Sequence, residues 1–465
     1  MEITEILIAA AVSLLIGCFV PERWRITVFF VLSLIALFWL QPPLPVDRFI
    51  WLFPFATLFL TAAVWWLTRS PENSENWQQI GLLLGLGCGF GMVISRPDAS
   101  PDWLKLATIG TLGLGTVVGA AVFTRGEIEF RKQAGLVIIF CLVVILFVLK
   151  TPALVRFLSQ AARFAEGMDT QSASGSDLQW IGISYIAFRL IAVLLDFRND
   201  RLPALSFQEA LLYVIFPASL VAGPIDQAQR FTGDLRAQSR LDAERLVDAG
   251  RRLTSGVFKK FVIADSLALV ALSPRIAQDA DTLWGAWLVV YLYAFQIFFD
   301  FSGYTDIAIG LGKLVGVDLP ENFDRPYLRQ NLALFWQSWH MTLTRWFRTY
   351  FFIPLTRALL RRKLPISDYL VAQLATMTLI GLWHGVTVNF VLWGVWHAVG
   401  LTIHKQIADR TRPWYLRQRQ KPWANRLIYG SGVFVTFHYV VLGWVFFALP
   451  EPWMSFELFG KLFGQ

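Results

Sequence analysis

Charge is what this sequence has least of. Asp, Glu, Lys and Arg together make up 16% of 465 residues, against 55% hydrophobic residues and a mean hydropathy of +0.52. Soluble globular chains carry about a quarter of their residues as charges, so water is not the main solvent of this one. Cysteine is nearly missing too: Cys18, Cys88 and Cys141 are the three present, each inside an apolar run and none at paired spacing. That excludes a disulfide framework or a cysteine zinc site and leaves small lipid- or helix-facing side chains. Also lacking are a G-x-S-x-G elbow, an H-E-x-x-H pair, a Walker A loop and a C-x-x-C pair. Serine hydrolase, zinc protease and ATP-driven pump readings thereby lose their main support. No metal site is expected.

What is present is apolar length. Runs begin at Ile3 and near Ile26, Phe49, Ile80, Leu104 and Ala134, separated by short linkers that carry Pro, Arg or acidic residues. Stretches of this length cross a bilayer rather than stripe a soluble helix. The first, Ile3 to Val20, carries Glu2 and Glu5 but no Lys or Arg at its start and no small-x-small cleavage site at its end, so it reads as a retained helix. Glycine-dense stretches, Gly81 to Gly91 and Gly110 to Gly119, lie in apolar runs and suit close helix packing. A Ser-rich polar stretch from Arg156 to Asp177 precedes a second group: Leu178 to Leu195, Phe207 to Val221, Phe261 to Leu272, Leu283 to Phe301, Leu370 to Gly400 with a break near Asn389, and Ile428 to Leu449. Several are too short to span or are interrupted by charge, as at Lys259, Lys260 and Asp265, so re-entrant and interfacial helices are expected. The fold class is all-α, a polytopic integral membrane protein of roughly 11–13 transmembrane or re-entrant helices. It is read as a single membrane-embedded domain over 1–465, with N-terminal helices in 1–150 and a motif-bearing core in 178–449.

The basic residues are clustered. Of 41 Lys and Arg, eight fall between Asp226 and Lys260, six between Met341 and Lys363, and seven between Lys405 and Arg426. By the positive-inside rule these segments face the cytoplasm, and Arg23 and Arg25 after the first span put the N-terminus outside. The net charge of +8 is then mostly an orientation signal, with membrane lipid as a partner and no nucleic acid expected. A multi-pass location in a cell membrane is expected.

Three segments carry candidate chemistry. Phe299 to Asp306 puts Asp300, Ser302, Tyr304 and Asp306 at the end of an apolar run, either as the polar wall of a substrate tunnel or as a helix end whose acids cap the next turn. The loop Leu319 to Tyr327 contains Asn322 and leads into Phe335 to Arg348. Read as one amphipathic helix at the interface, the latter places Gln337, His340, Thr344 and Arg348 on a single stripe, with Trp339, Leu343, Trp346 and Phe347 beside it. An interfacial aromatic anchor explains Trp346 and Arg348 but does not require His340. In Leu379 to Gly385, His384 lies deep in an apolar run beside Trp383, between Gly381 and Gly385. An ionisable residue there is a functional-site hypothesis by default. The glycines either serve close packing or leave room for a donor to approach the ring. His397, His404 and His438 read as core or interface residues.

Phe-Ser-Gly-Tyr followed by Asp306, Pro-Glu-Asn-Phe at Pro320, Trp-His-Met-Thr-Leu at Trp339 and Gly-Leu-Trp-His-Gly at Gly381 together resemble the membrane-bound O-acyltransferase family. The likeness is to its bacterial branch, with the alginate O-acetyltransferase and teichoic-acid D-alanyl-transfer membrane subunits, and runs from about Ile181 to Leu449. It implies an all-helical shell around a tunnel, a cytoplasmic thioester donor (acetyl-coenzyme A or an acyl-carrier protein) used as substrate with no tightly bound cofactor, and an acceptor on the outer side. The family's intramembrane histidine falls on His384 and its second histidine on His340. Trp339, Trp383, Asp306, Tyr304, Asn322 and Gln337 are then candidates for the tunnel or donor site. The expected reaction is acyl transfer, most simply acetyl, to hydroxyls of an exported polysaccharide, directly or through an extracytoplasmic acyltransferase partner. D-alanyl transfer to a teichoic-acid-like polymer is the alternative enzyme reading. A transporter or lipid flippase fits the hydropathy equally, but has no need of two such histidines.

Overall fold

The computed structural model describes residues 2–46, 48–70, 75–95, 128–237, 241–362 and 368–465, and every regular element among them is helical. The run expected near Leu104 and the glycines from Gly110 to Gly119 lie outside the described residues. Among the described residues, six helices are long and apolar enough to cross a membrane: Phe49–Thr68, Trp77–Ile94, Ile128–Lys150, Gly175–Arg198, Leu283–Leu314 and Pro422–Ala448. Ile128–Lys150 turns Val137, Phe140, Val143 and Phe147 outward, a surface that water would oppose and lipid accepts. The chain is a multi-pass membrane protein.

Two compact units divide it, Met1–Leu253 with Ile307–Pro320, and Thr254–Asp306 with Glu321–Gln465. The first is built from α1 (Ile3–Phe19), α2 (Glu22–Trp39), α3 (Arg48–Thr68), α4 (Trp77–Ser95), α5 (Ile128–Lys150), α6 (Pro152–Ala165), α7 (Ile183–Arg198), α8 (Phe207–Ile215) and α9 (Ala228–Ala237). Helix α10 (Ala243–Val257) leads into the second unit. The glycines of α4 act by face. Gly87 and Gly91, one turn apart, lie against Leu34 and Phe38 of α2, where a side chain would meet them at 2.7 and 3.0 Å. Gly81, Gly85 and Gly89 have no such neighbour among the described residues. The Ser-rich stretch closes on itself, since Asp177 is fully buried and held by the Arg163 guanidinium and, at 2.5 Å, by the Ser159 hydroxyl.

In the second unit, wide π-type turns over Phe258–Ala264 continue from α10, and α11 (Leu283–Leu314) passes beside them. Lys259 meets Asp306 at 2.6 Å and Lys260 meets Asp300 at 2.5 Å. Between these pairs, Gly303 lies so close to the Gly256 carbonyl and the Lys260 amide that a Cβ would come within 2.8 Å of both. Of the two readings of Asp300 to Asp306, the helix end is corrected: α11 runs on unbroken, and its acids pair with lysines instead of capping a turn. Ion pairing is the cheaper way to keep such groups in an apolar medium. The unit continues with α12 (Leu332–Ser338), α13 (Met341–Phe347), α14 (Ile353–Arg362), α15 (Asp368–His384), α16 (Val388–Arg419), α17 (Pro422–Ala448) and α18 (Pro452–Leu462).

Candidate functional site

The break expected near Asn389 is present and lies just after His384. Helix α15 ends at His384, Gly385 to Thr387 turn, and Thr387 caps α16 by accepting the Phe390 amide at 3.5 Å. Buried Asn389 anchors the new helix by donating to the Leu449 carbonyl at 2.6 Å and the Ser455 hydroxyl at 3.1 Å. His384 thus sits at a helix terminus within an aromatic enclosure. Its ring lies 4.6 Å from Trp383, 4.8 Å from Phe447, 5.7 Å from Trp393 and 5.8 Å from Phe390, centroid to centroid. Aromatics from α16 and α17 make most of this wall. The two glycines serve packing. The space beside Gly381 is taken by the Phe390 carbonyl and Trp393, and that beside Gly385 by the Phe390 ring. Room for a donor at these glycines is accordingly ruled out.

The single amphipathic helix read over Phe335 to Arg348 is also corrected. The chain breaks between α12 and α13, and His340 takes a left-handed conformation with φ 43°. Two backbone bonds tie this turn to the Asn322 loop, Met341 N–H to the Asn322 carbonyl at 2.9 Å and Asp324 N–H to the Ser338 carbonyl at 3.0 Å. The stripe is split as a result. His340 is buried at 3% exposure, whereas Gln337, Thr344 and Arg348 line a separate cavity of about 220 Å³ with Tyr369, Gln373 and Thr376 of α15.

His340 and His384 meet the same indole. The His340 ring lies 6.3 Å from Trp383, and its other face meets Phe301 of α11 edge-on at 4.6 Å. His340 lies on a connection outside the six spanning helices. Burial first, and the nearby His384 second, hold its pKa well below the ordinary imidazole range. Asn322 is fully buried and accepts from His340 Nδ1 at 3.1 Å. Trp339 braces the turn from behind, stacked on Phe335 at 5.6 Å and against Trp444 at 5.0 Å. Of the residues singled out in the sequence, His340, His384, Trp383 and Asn322 come together, with Trp339 as support. Gln337 lies apart in its cavity, Asp306 is held by Lys259, and Tyr304 is buried in α11. Phe301, Phe390, Trp393 and Phe447 were missed. For Phe447 alone, the aromatics that end the last spanning segment were a signal.

The second unit thus brings two imidazoles, His340 and His384, to one indole inside a multi-pass membrane protein. Residues 136–446 match the membrane-bound O-acyltransferase family, and the chain belongs to it. The match begins earlier than the motifs suggested. The chain is similar to the probable alginate O-acetylase of Pseudomonas syringae, with 35% identity over 290 residues, 61% of this chain and 52% of the relative. It is similar to the teichoic acid D-alanyltransferase of Streptococcus thermophilus at 31% over 309 residues, 62% of this chain and 72% of the relative. A peptidoglycan O-acetyltransferase of Helicobacter pylori is 32% identical over 244 residues, 52% of this chain and 44% of that protein. The chain spans about half the length of the alginate O-acetylases it matches.

Proposed function

We propose that this chain transfers an acyl group, acetyl, from a cytoplasmic thioester donor to hydroxyls of an exported envelope polysaccharide, directly or through an extracytoplasmic acyltransferase partner. The observation that carries the reading is the meeting of His340 and His384 at Trp383 inside a membrane protein. His384 takes the acceptor's hydroxyl proton as its oxygen attacks the thioester carbonyl. The C–O bond forms, the C–S bond breaks, and the proton passes on to the departing thiolate. Imidazole suits that exchange near neutral pH, and the carbonyl end of α15 stabilises the charge the ring acquires. His340, neutral by burial, orients the donor or acceptor.

The cavity at Arg348 supports a donor arm there. Its lining residues run from Tyr369 to Ile380 along α15, about 16 Å of helix, with amide and hydroxyl side chains along the way and a guanidinium at the mouth. Acetyl-coenzyme A or a carrier-borne thioester has complementary amides and phosphate. The similarity to a relative named teichoic acid D-alanyltransferase, of which this chain covers 72%, favours D-alanyl transfer as the second reading. The test is purified protein in lipid vesicles given labelled acetyl-coenzyme A or a D-alanyl carrier together with polysaccharide. Base-labile acetyl ester on the polymer is expected. D-alanyl ester alone would establish the second reading, and consumption of neither thioester would overturn both.

A further inference from the structure

The contacts of His340 define more than its position. The Asn322 side-chain oxygen accepts three times, from the Thr342 amide N–H at 3.1 Å, the Thr342 hydroxyl at 2.9 Å and His340 Nδ1 at 3.1 Å. A backbone N–H can only donate, so the Thr342 amide fixes which end of the Asn322 carboxamide faces this cluster: the oxygen. An amide oxygen can only accept, so His340 Nδ1 must carry a proton. In a neutral imidazole the lone pair then lies on Nε2. Among the described residues that atom is buried with no hydrogen-bond partner, as is the Asn322 Nδ2 amide. The left-handed backbone at His340 is disfavoured for a residue with a Cβ and persists where its surroundings over-determine it. Here the two backbone bonds from the Asn322 loop do so.

We infer that Asn322 is the positioning residue that fixes the tautomer of His340, with the proton on Nδ1 and the lone pair of Nε2 turned to the site interior. The tautomer stands on these contacts alone. Its use, to accept a proton or hydrogen bond from donor or acceptor during transfer, rests on the acyl-transfer reading. The titratable group facing His340 is His384, while Phe301 and Trp383 add no charge.

The test is solid-state NMR of the full chain in lipid at pH 7.5 with 15N-labelled histidine. The His340 signals are assigned by their loss in His340→Gln. The expected spectrum is a neutral ring protonated at Nδ1. In Asn322→Asp the carboxylate still accepts three bonds but adds a charge, so the ring should hold both protons. The acid limb of acyl transfer should then move about one pH unit or more to the alkaline side. A His340 ring protonated at Nε2 overturns the assignment, as does an Asn322→Asp protein whose ring stays neutral and whose pH profile is unmoved. Should Asn322→Asp fail to fold, the wild-type spectrum decides alone. The expected tautomer in a protein that consumes no thioester sinks the acyl-transfer reading and leaves the Asn322 assignment standing.

Discussion

One buried polar cluster in each unit shows two opposite treatments. In the first, Arg189 is 1% exposed and donates to the Val214 and Ser219 carbonyls, each at 2.7 Å. Arg131 is likewise closed on the Leu67 and Arg69 carbonyls, and Asp177 on Arg163 and Ser159. In the second, His340 Nε2, both ring nitrogens of His397 and the Asn322 Nδ2 are buried without a hydrogen-bond partner among the described residues. Native proteins rarely leave such groups open, least of all in a membrane. Polar groups closed by the protein brace a scaffold. On the proposed function, the His340 turn, oriented by Asn322 and left open at Nε2, is the part available to a substrate.

If that contrast is right, substitutions in the two units should fail differently. His384→Ala should have the largest effect: a loss of roughly a hundred- to ten-thousand-fold in turnover, with the melting temperature in detergent nearly unchanged. Arg189→Ala should do the reverse. It strands buried carbonyls at a cost on the order of 3 kcal/mol, seen as a lower melting temperature, while the folded fraction keeps its turnover. Full stability in Arg189→Ala, or collapse in His384→Ala, would erase the distinction. Arg348→Ala, at the mouth of the cavity, should raise the donor KM about two- to fivefold and leave kcat alone, the size expected of an exposed charge contact. The smallest effect is none. Cysteines placed at Arg236, Arg361 and Arg417 should resist an impermeant label added outside intact cells, and labelling of two of them would invert the orientation.

Much of this was legible in the sequence, for identifiable reasons. Apolar runs dictate spanning helices because unpaired backbone groups are intolerable in lipid, and the long run from Leu370 broke beside Asn389 as its polar residues suggested. His340 and His384 stood out because an imidazole in an apolar setting is costly without a use. The turn at His340 was invisible, since Ser338, Trp339 and His340 include no Gly or Pro. Its left-handed backbone is imposed by Asn322 and Asp324, remote in the chain. Gly381 and Gly385 misled for a similar reason: whether a glycine gap admits a ligand or another helix depends on the partner, and here Phe390 fills it. Lys259 and Lys260 read as interruptions because their partners, Asp306 and Asp300, are tens of residues away.

The central claim is that His340 and His384 serve one reaction. Its most direct test is acyl-transfer turnover in lipid vesicles for His340→Ala, His384→Ala and the double variant, measured side by side. Residues that act as a unit are strongly non-additive. The account predicts that the double variant is no slower than His384→Ala alone, within about threefold. Losses that multiply across the two positions would show two independent contributions and contradict it.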